Sequence, residues 1–435
     1  MAPSDEKKDI IIIGGGIVGC TSAYFLTHHP SYDASKHRIT LLEATKIAGG
    51  ASGKAGGLLA LWAYPSSIVP LSYRLHKQLA DEHDGVERWG YRAVHCGQVD
   101  CKGRHLQSEK DTDTVANKTG EMDGDNETAK KRRVSLEKRD ARALGELRAA
   151  GVPSDLDWVD ADCLRVYDEM GDPSTTAQVH PYHFTTAMAE LAAAKGADMR
   201  VGAAVKDIQY SDDGKSVTGI TYHDRNSGEK VQLPATDIII SAGPWTRSVY
   251  PDAPISALRA HSVTIRPSRE VSAYALFTQI KLPAGFGLEP PQAAKKGRSS
   301  TGSIVSPEIY ARPKNEVYAC GEGDREVPLP QYSDLVEVDE VRCQEIVDQV
   351  GSISDELRDG EVTARQACYL PNVSASGSGG PLIGETGVKG LLMAAGHTCW
   401  GIQNGPGTGK LISEFVFDGR ATSAKIQGLD PRLVL

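Results

Sequence analysis

The chain has 435 residues, long enough for two or three domains, and is 40% hydrophobic and 24% charged, which excludes a fibrous or wholly disordered protein. Its formal net charge of −9 argues against nucleic acid as the main partner, because polyphosphate binding needs a basic surface. No run of 18 apolar residues occurs, so no membrane span is expected. The polar start Met1–Lys8 has no apolar secretory core, which points to the cytoplasm.

Asp9–Ile13 reads as a buried parallel strand. Gly14-Gly-Gly-Ile-Val-Gly19 follows, then a helix over 20–28 and a second strand over 38–43 that ends on Glu43. Together they form a βαβ unit. Residues 102–148 carry 12 basic and 10 acidic side chains and almost nothing to bury, so they read as a mobile surface insertion. Further on, 181–194 reads as an amphipathic helix, and 199–205, 217–222 and 230–233 as strands, with a hairpin turn at Asn226-Ser-Gly228. A buried strand from Thr236 runs into a glycine turn at Gly243. The helix 336–350, the strand 390–396 and a last helix over 409–417 complete the pattern.

Glycine is unusually frequent, at 45 residues, and gathers near 14–19, 49–57 and 377–409. Ordering glycine is costly, so such clusters mark places where backbone passes close to something. Gly14, Gly16 and Gly19 fit the dinucleotide fingerprint in its required strand–turn–helix context, with Glu43 placed to accept ribose hydroxyls. The helix start at Ile17 and Val18 offers amides to a pyrophosphate. An acid at position 43 disfavours a 2′-phosphate. The second cluster separates FAD from NAD, since a simple NAD enzyme needs no further Gly/Ser loop directly after Ala44. The residues of that loop assigned to the cofactor are Ala51, Ser52, Gly53, Lys54, Gly57 and Leu58. Gly405–Lys410 fails as a phosphate loop because Asn404 and Leu411 break the pattern. The eight cysteines lack a Cys-x-x-Cys pair, so no metal centre or disulfide framework is expected.

These segments resemble the D-amino-acid oxidase superfamily of FAD-dependent oxidoreductases, which includes glycine, sarcosine and saccharopine oxidases. The chain's ending is also similar to that of a set of fungal oxidoreductases. The resemblance extends over most of the chain outside the insertion. It implies an α/β (α+β) protein whose Rossmann-type FAD domain (1–60, 200–250, 365–420) is interleaved with an antiparallel-sheet substrate domain (61–199, 251–364). It also implies that Val205, Ala242, Gly243 and Trp245 lie near FAD, and that Gly396, Trp400, Gly401, Ile402 and Gln403 belong to the segment covering the flavin ring. Gly405–Gly409 would start the helix that faces the flavin pyrimidine.

Cys368 stands where the sarcosine oxidase branch bonds flavin covalently, leaving a thioether or a plain buried thiol as the alternatives. Leu370 takes the place of the glycine oxidase arginine that pairs the substrate carboxylate. Arg312, Lys54 and Arg365 are the candidates to replace it. Tyr310 matches an active-site tyrosine of glycine oxidase, and Trp400 would wall the substrate. The implied reaction is oxidation of a C–N bond in a small amine or amino acid by hydride transfer to flavin N5, with oxygen or another acceptor. The other expectation is a flavin with a structural, trafficking or assembly role.

Overall fold

A computed structural model of the chain describes residues 7–106, 151–287, 302–374 and 380–435. Its first sheet has six strands, in the order β19 (Leu382–Glu385), β20 (Leu391–Ala395), β12 (Asp237–Ile240), β1 (Lys8–Ile13), β2 (His37–Glu43) and β8 (Asp198–Val201). β1 lies parallel to both β12 and β2, as its unbroken apolar run predicts. Ile10 and Ile12 pack into a cluster with α1 (Ile17–Thr27), α2 (Val69–Glu82), α3 (Gly85–Trp89), α4 (Pro181–Ala194) and α8 (Gly401–Asp418). The alternate residues Ile11 and Ile13 face a three-stranded antiparallel sheet of β9 (Ala203–Tyr210), β10 (Val217–Asp224) and β11 (Lys230–Pro234). One strand thus anchors helices on one side and a meander on the other.

A larger antiparallel sheet stands beside it, in the order β18 (Glu361–Val373), β13 (Ile255–Arg266), β17 (Glu316–Cys320), β16 (Glu308–Arg312), β14 (Tyr274–Lys281), β5 (His95–Lys102) and β6 (Leu164–Gly171). The short β15 (Ile304–Val305) pairs with β14, and the one parallel pair is β14 with β5. One face buries Val263, Ile309, Val317 and Ala319 against α6 (Glu340–Gly351) and α7 (Asp355–Arg358). A small sheet of β3 (Leu58–Ala60), β7 (Thr176–Gln178) and β4 (Arg92–Ala93) bridges toward the first unit, whose α5 (Thr246–Val249) follows β12.

Several boundaries differ from the sequence reading. The strand expected over 199–205 breaks at Gly202, where φ is +78°, so β8 joins the parallel sheet and β9 leaves for the meander. The helix expected from 336 begins at Glu340, because the Asp339 carboxylate caps the amides of Val341 and Arg342 at 3.0 and 3.2 Å. β18 runs unbroken through position 365, the expected domain boundary, and lies in the larger sheet. The start of the charged segment is held in place: Arg104 donates to Asp160 at 2.7 Å and to Asp355 at 2.6 Å. Residues 107–148 of the expected insertion lie outside the described residues. Among the described residues, no helix is long and apolar enough to cross a membrane.

The largest correction concerns the end of the third glycine cluster. Helix α8 starts at Gly401, and Gly405 and Gly409 lie inside it. They stand apart from the lining of the cleft at the ends of β1, β12 and β20 and let α8 cross α1. A Cβ at Gly405 would stand 2.6 Å from Ile17, and one at Gly409 2.5 Å from the backbone of Thr21. Thr21 Oγ1 donates to the Gly405 carbonyl at 2.8 Å across this crossing.

Pro406 also lies inside α8 and cannot donate to the Ile402 carbonyl one turn earlier. His76 Nε2, from α2, lies 2.9 Å from that carbonyl and replaces the missing donor. Full burial pushes the His76 ring down to about 4 from its ordinary 6.5. The unfolded chain therefore takes up the proton more readily than the folded one, and stability is lost as pH falls from about 6.5 toward 4. His397 shifts the same way for the same reason, also to about 4. His76→Leu is expected to lower the unfolding free energy at neutral pH by about 1–3 kcal/mol, through the orphaned carbonyl. Urea titrations at several pH values should show a shallower decline below pH 6.5 in the variant than in the parent.

Candidate active site

The β1–α1 turn fixes one end of the site. Gly14 adopts φ +112°, and a Cβ there would stand 2.6 Å from the Ser241 carbonyl oxygen. Gly19 lies beneath the turn, where a Cβ would come within 2.0 Å of the Gly14 oxygen. It is a packing glycine and does not line the cleft. Glu43 closes β2, and its Oε2 accepts the Gly15 amide at 2.7 Å. Its Oε1 accepts from the Thr45 amide and hydroxyl at 2.8 and 2.9 Å, so the carboxylate still has a lone pair for a ribose hydroxyl. Ser52 Oγ accepts from the Ile17 amide at 2.9 Å, at the start of a helix whose Gly16 cap offers no side chain.

From this turn an open cleft runs across the ends of β1, β12 and β20. Gly14, Gly16, Ile17, Val18, Glu43, Ala44, Ala51 and Ser52 line it at one end. Val205, Ala242, Gly243 and Trp245 lie along its side, and Gly396, Gly401 and Ile402 at the other end. These are fifteen of the residues assigned to the cofactor from the sequence. Gln331, Tyr332 and Ser333 also line it. Trp245 Nε1 donates to the Pro330 carbonyl at 2.7 Å and holds that loop over the cleft. Nothing in the sequence around 330 resembles a cofactor motif, so only the fold brings it there.

A dinucleotide suits this space. The backbone lies bare at the helix start, the helix dipole favours an anion there, and an acid stands at the ribose position.

The other cofactor candidates stand apart from the cleft lining. Gly53 and Gly57 shape the loop, and Leu58 packs with Tyr310 and Tyr318. Gln403 is buried, and its Oε1 accepts the Ala60 amide at 2.7 Å. Lys54 Nζ donates to the Ala367 carbonyl at 2.8 Å, beside Cys368. Burial lowers the Lys54 ammonium and pushes the Cys368 thiol up to about 11, so the cysteine is a protonated thiol at neutral pH.

Beyond the cleft, the face of the larger sheet turned away from α6 and α7 carries a cluster of aromatic and polar side chains, with Gly56 and Leu58 packed on Tyr310 and Tyr318. Its register puts Glu308 opposite Cys320 and Tyr310 opposite Tyr318, with Phe277 and Ala275 next to them on β14. Glu308, Tyr310 and Arg312 alternate along β16 and share this face. Tyr310 donates its hydroxyl to Glu308 Oε2, and the Cys320 thiol points at the same oxygen from 3.8 Å. Arg312 is nearly buried and donates to the carbonyls of Ala55 and Gly56 and, at 2.9 Å, to Glu316. It ties the flavin-side loop to the sheet.

Aromatic rings link this face to the edge of the cleft. Tyr310 stacks on Tyr318 at 5.8 Å, and its other neighbour, Phe277, stands edge-on at 6.2 Å. Trp62 contacts Phe277 at 5.9 Å and Trp400 at 5.5 Å, and Trp400 meets Tyr64 at 6.1 Å. Trp400 caps α8 directly after Cys399, which lines the cofactor cleft. The cleft and the aromatic face therefore adjoin at 399–400. Glu308, Tyr318, Cys320 and Trp62 were missed by the sequence reading; for Glu308, the alternation with Tyr310 and Arg312 was a usable signal.

A family model for FAD-dependent oxidoreductases, the DAO family, matches residues 9–415. The chain belongs to this family. TDA3 of Saccharomyces cerevisiae, whose name gives a reaction class and no substrate, is 36% identical over 516 aligned positions. That alignment covers 99% of this chain and 95% of TDA3. Among solved structures, glycine oxidase from Geobacillus kaustophilus superposes with a TM-score of 0.65 at 18% identity, covering 98% of each chain. Iminodiacetate oxidase from Chelativorans sp. BNC1 superposes at 0.63 and 18% identity, covering 97% of this chain and 99% of its own.

Gly16→Val would put a branched side chain on the bare backbone beside Ser52, whose Oγ lies 3.1 Å from where the new Cβ would stand. The variant is expected to purify without the yellow flavin bands and with an unchanged far-ultraviolet circular dichroism spectrum. A yellow variant with full flavin content would contradict this placement of the phosphates.

Proposed function

We propose that the protein oxidises the C–N bond of a small amine or amino acid, passing a hydride to FAD and the electrons onward to oxygen or another acceptor. The observation that carries this reading is the junction at 399–400, where the cleft that begins at the glycine turn adjoins an aromatic face bearing the Tyr310–Glu308 pair. Bound FAD supplies the hydride acceptor. The protein's part is to orient the substrate and exclude water.

Trp400, with Trp62, walls the substrate beside the cleft. Tyr310 holds Glu308 in place, and Arg312 fixes the Ala55–Gly56 loop. Lys54 brings a positive charge beside Cys368 and the flavin-side loop.

Anaerobic addition of a substrate amine or amino acid should bleach the flavin bands, and air should restore them if oxygen is the acceptor. No bleaching across a broad panel of amines, amino acids and hydroxy acids would overturn the reading. Because Cys368 is a buried, protonated thiol outside the cleft lining, the FAD is proposed to dissociate freely. Acid precipitation should release the yellow colour into the supernatant; colour kept in the pellet would establish a covalent bond.

A further inference from the structure

We infer that the aromatic face beside the cleft selects a cationic amine, seated by the carboxyl of Glu308, and does not require a substrate carboxylate. The inference rests on the amine-oxidising reading above and narrows its substrate class.

The cations that could hold a carboxylate are engaged elsewhere. Arg312 donates to Ala55, Gly56 and Glu316, and Lys54 to the Ala367 carbonyl. Arg365 reaches outward to Gln344 and Glu340 on α6. Leu370, at the position of the family's arginine, is apolar.

An acid, Glu308, stands on the aromatic face instead. Tyr310 and Cys320 both direct their hydrogens at Glu308 Oε2. Among the described residues Oε1 has no partner, and Glu308 keeps part of its surface open while protein encloses most of it. That burial raises the Glu308 carboxyl above its ordinary range, a cost that a bound cation relieves. The same charge is felt at Cys399 in the cofactor cleft, so the acid lies within electrostatic reach of the ring end.

The wall fits the same ligand. Rings continue from Tyr64 and Trp62, both substantially exposed, to Tyr310 and Tyr318, both buried. Ring faces attract a cation, most of all when water is excluded. Arg312 already uses the Tyr318 ring this way, with its guanidinium carbon 4.8 Å from the centroid. A primary or secondary ammonium would enter along this wall and pass one proton to Glu308 Oε1. That leaves a neutral amine and a neutral carboxylic acid. The nitrogen lone pair then forms the C=N bond as the adjacent carbon loses its hydride to FAD.

The test uses the oxidised holoprotein under anaerobic conditions and two probes of similar size and opposite charge. Benzyltrimethylammonium has no lone pair and cannot be oxidised; benzoate is its anionic counterpart. The cation is expected to perturb the flavin bands saturably and to bind at least tenfold more tightly than benzoate. Glu308→Gln should weaken the cation about tenfold or more. The probe comparison needs no variant, so it stands even if Glu308→Gln fails to fold. Tighter binding of benzoate, or a cation affinity indifferent to Glu308→Gln, overturns the inference. Bleaching by amino acids with no response to the cation also overturns it, while leaving C–N oxidation in place. A Glu308-dependent response to the cation supports it even if no amine bleaches the flavin, a result that would count against the oxidation reading alone.

Discussion

The contact on which the rest of the molecule depends is the approach of α1 to the end of β1. At Gly19 the helix lies so close to the Gly14 carbonyl that a single methyl group would collide with it. This closeness seats the start of α1 at the cleft, where Glu43 accepts the Gly15 amide of the turn and Ser52 the Ile17 amide of the helix. It also sets the height of α1 on the sheet, and hence the crossing with α8 through Gly405 and Gly409. α8 in turn carries Trp400 at its start, where the aromatic face begins. A backbone constraint at residue 19 thus reaches the substrate end through two tightly packed helices.

The second unit works differently. Its sheet buries one face against α6 and α7 and offers the other to the cleft. Because side chains alternate, the same strands that supply Ile309 and Ala311 to the core supply Glu308, Tyr310 and Arg312 to the aromatic face. The two units are joined by polar contacts to backbone carbonyls, from Arg312 to the Ala55–Gly56 loop and from Lys54 to Ala367. Such contacts hold the 55–58 loop against the sheet, where Gly56 and Leu58 pack on the Tyr310 and Tyr318 rings.

Most of the cofactor half was legible in the sequence because it rests on local rules. A strand, a glycine turn, a helix and an acid at the end of the next strand form one continuous signal. The same logic misplaced Gly405 and Gly409, since glycine for helix crossing and glycine for ligand approach look alike in one dimension; only the partners, Ile17 and Thr21, separate them. The aromatic face was less legible. Tyr310 and Arg312 stood out by alternation and resemblance, but Glu308 beside Cys320 and Trp62 beside Phe277 are juxtapositions across strands and units. The loop at 330–333 is held by Trp245 from some 85 positions away, and no periodicity announces such a contact.

The central claim is that FAD lies along the cleft with its adenosine end at Glu43, Val205 and Tyr332 and its flavin ring at His397–Gly401, next to the aromatic face. A crystal structure of the yellow holoprotein tests this most directly. The account predicts pyrophosphate density at the start of α1 and ring density between the 397–401 segment and the aromatic wall. Density for a reversed dinucleotide, or for a flavin ring away from residues 397–401, would contradict it.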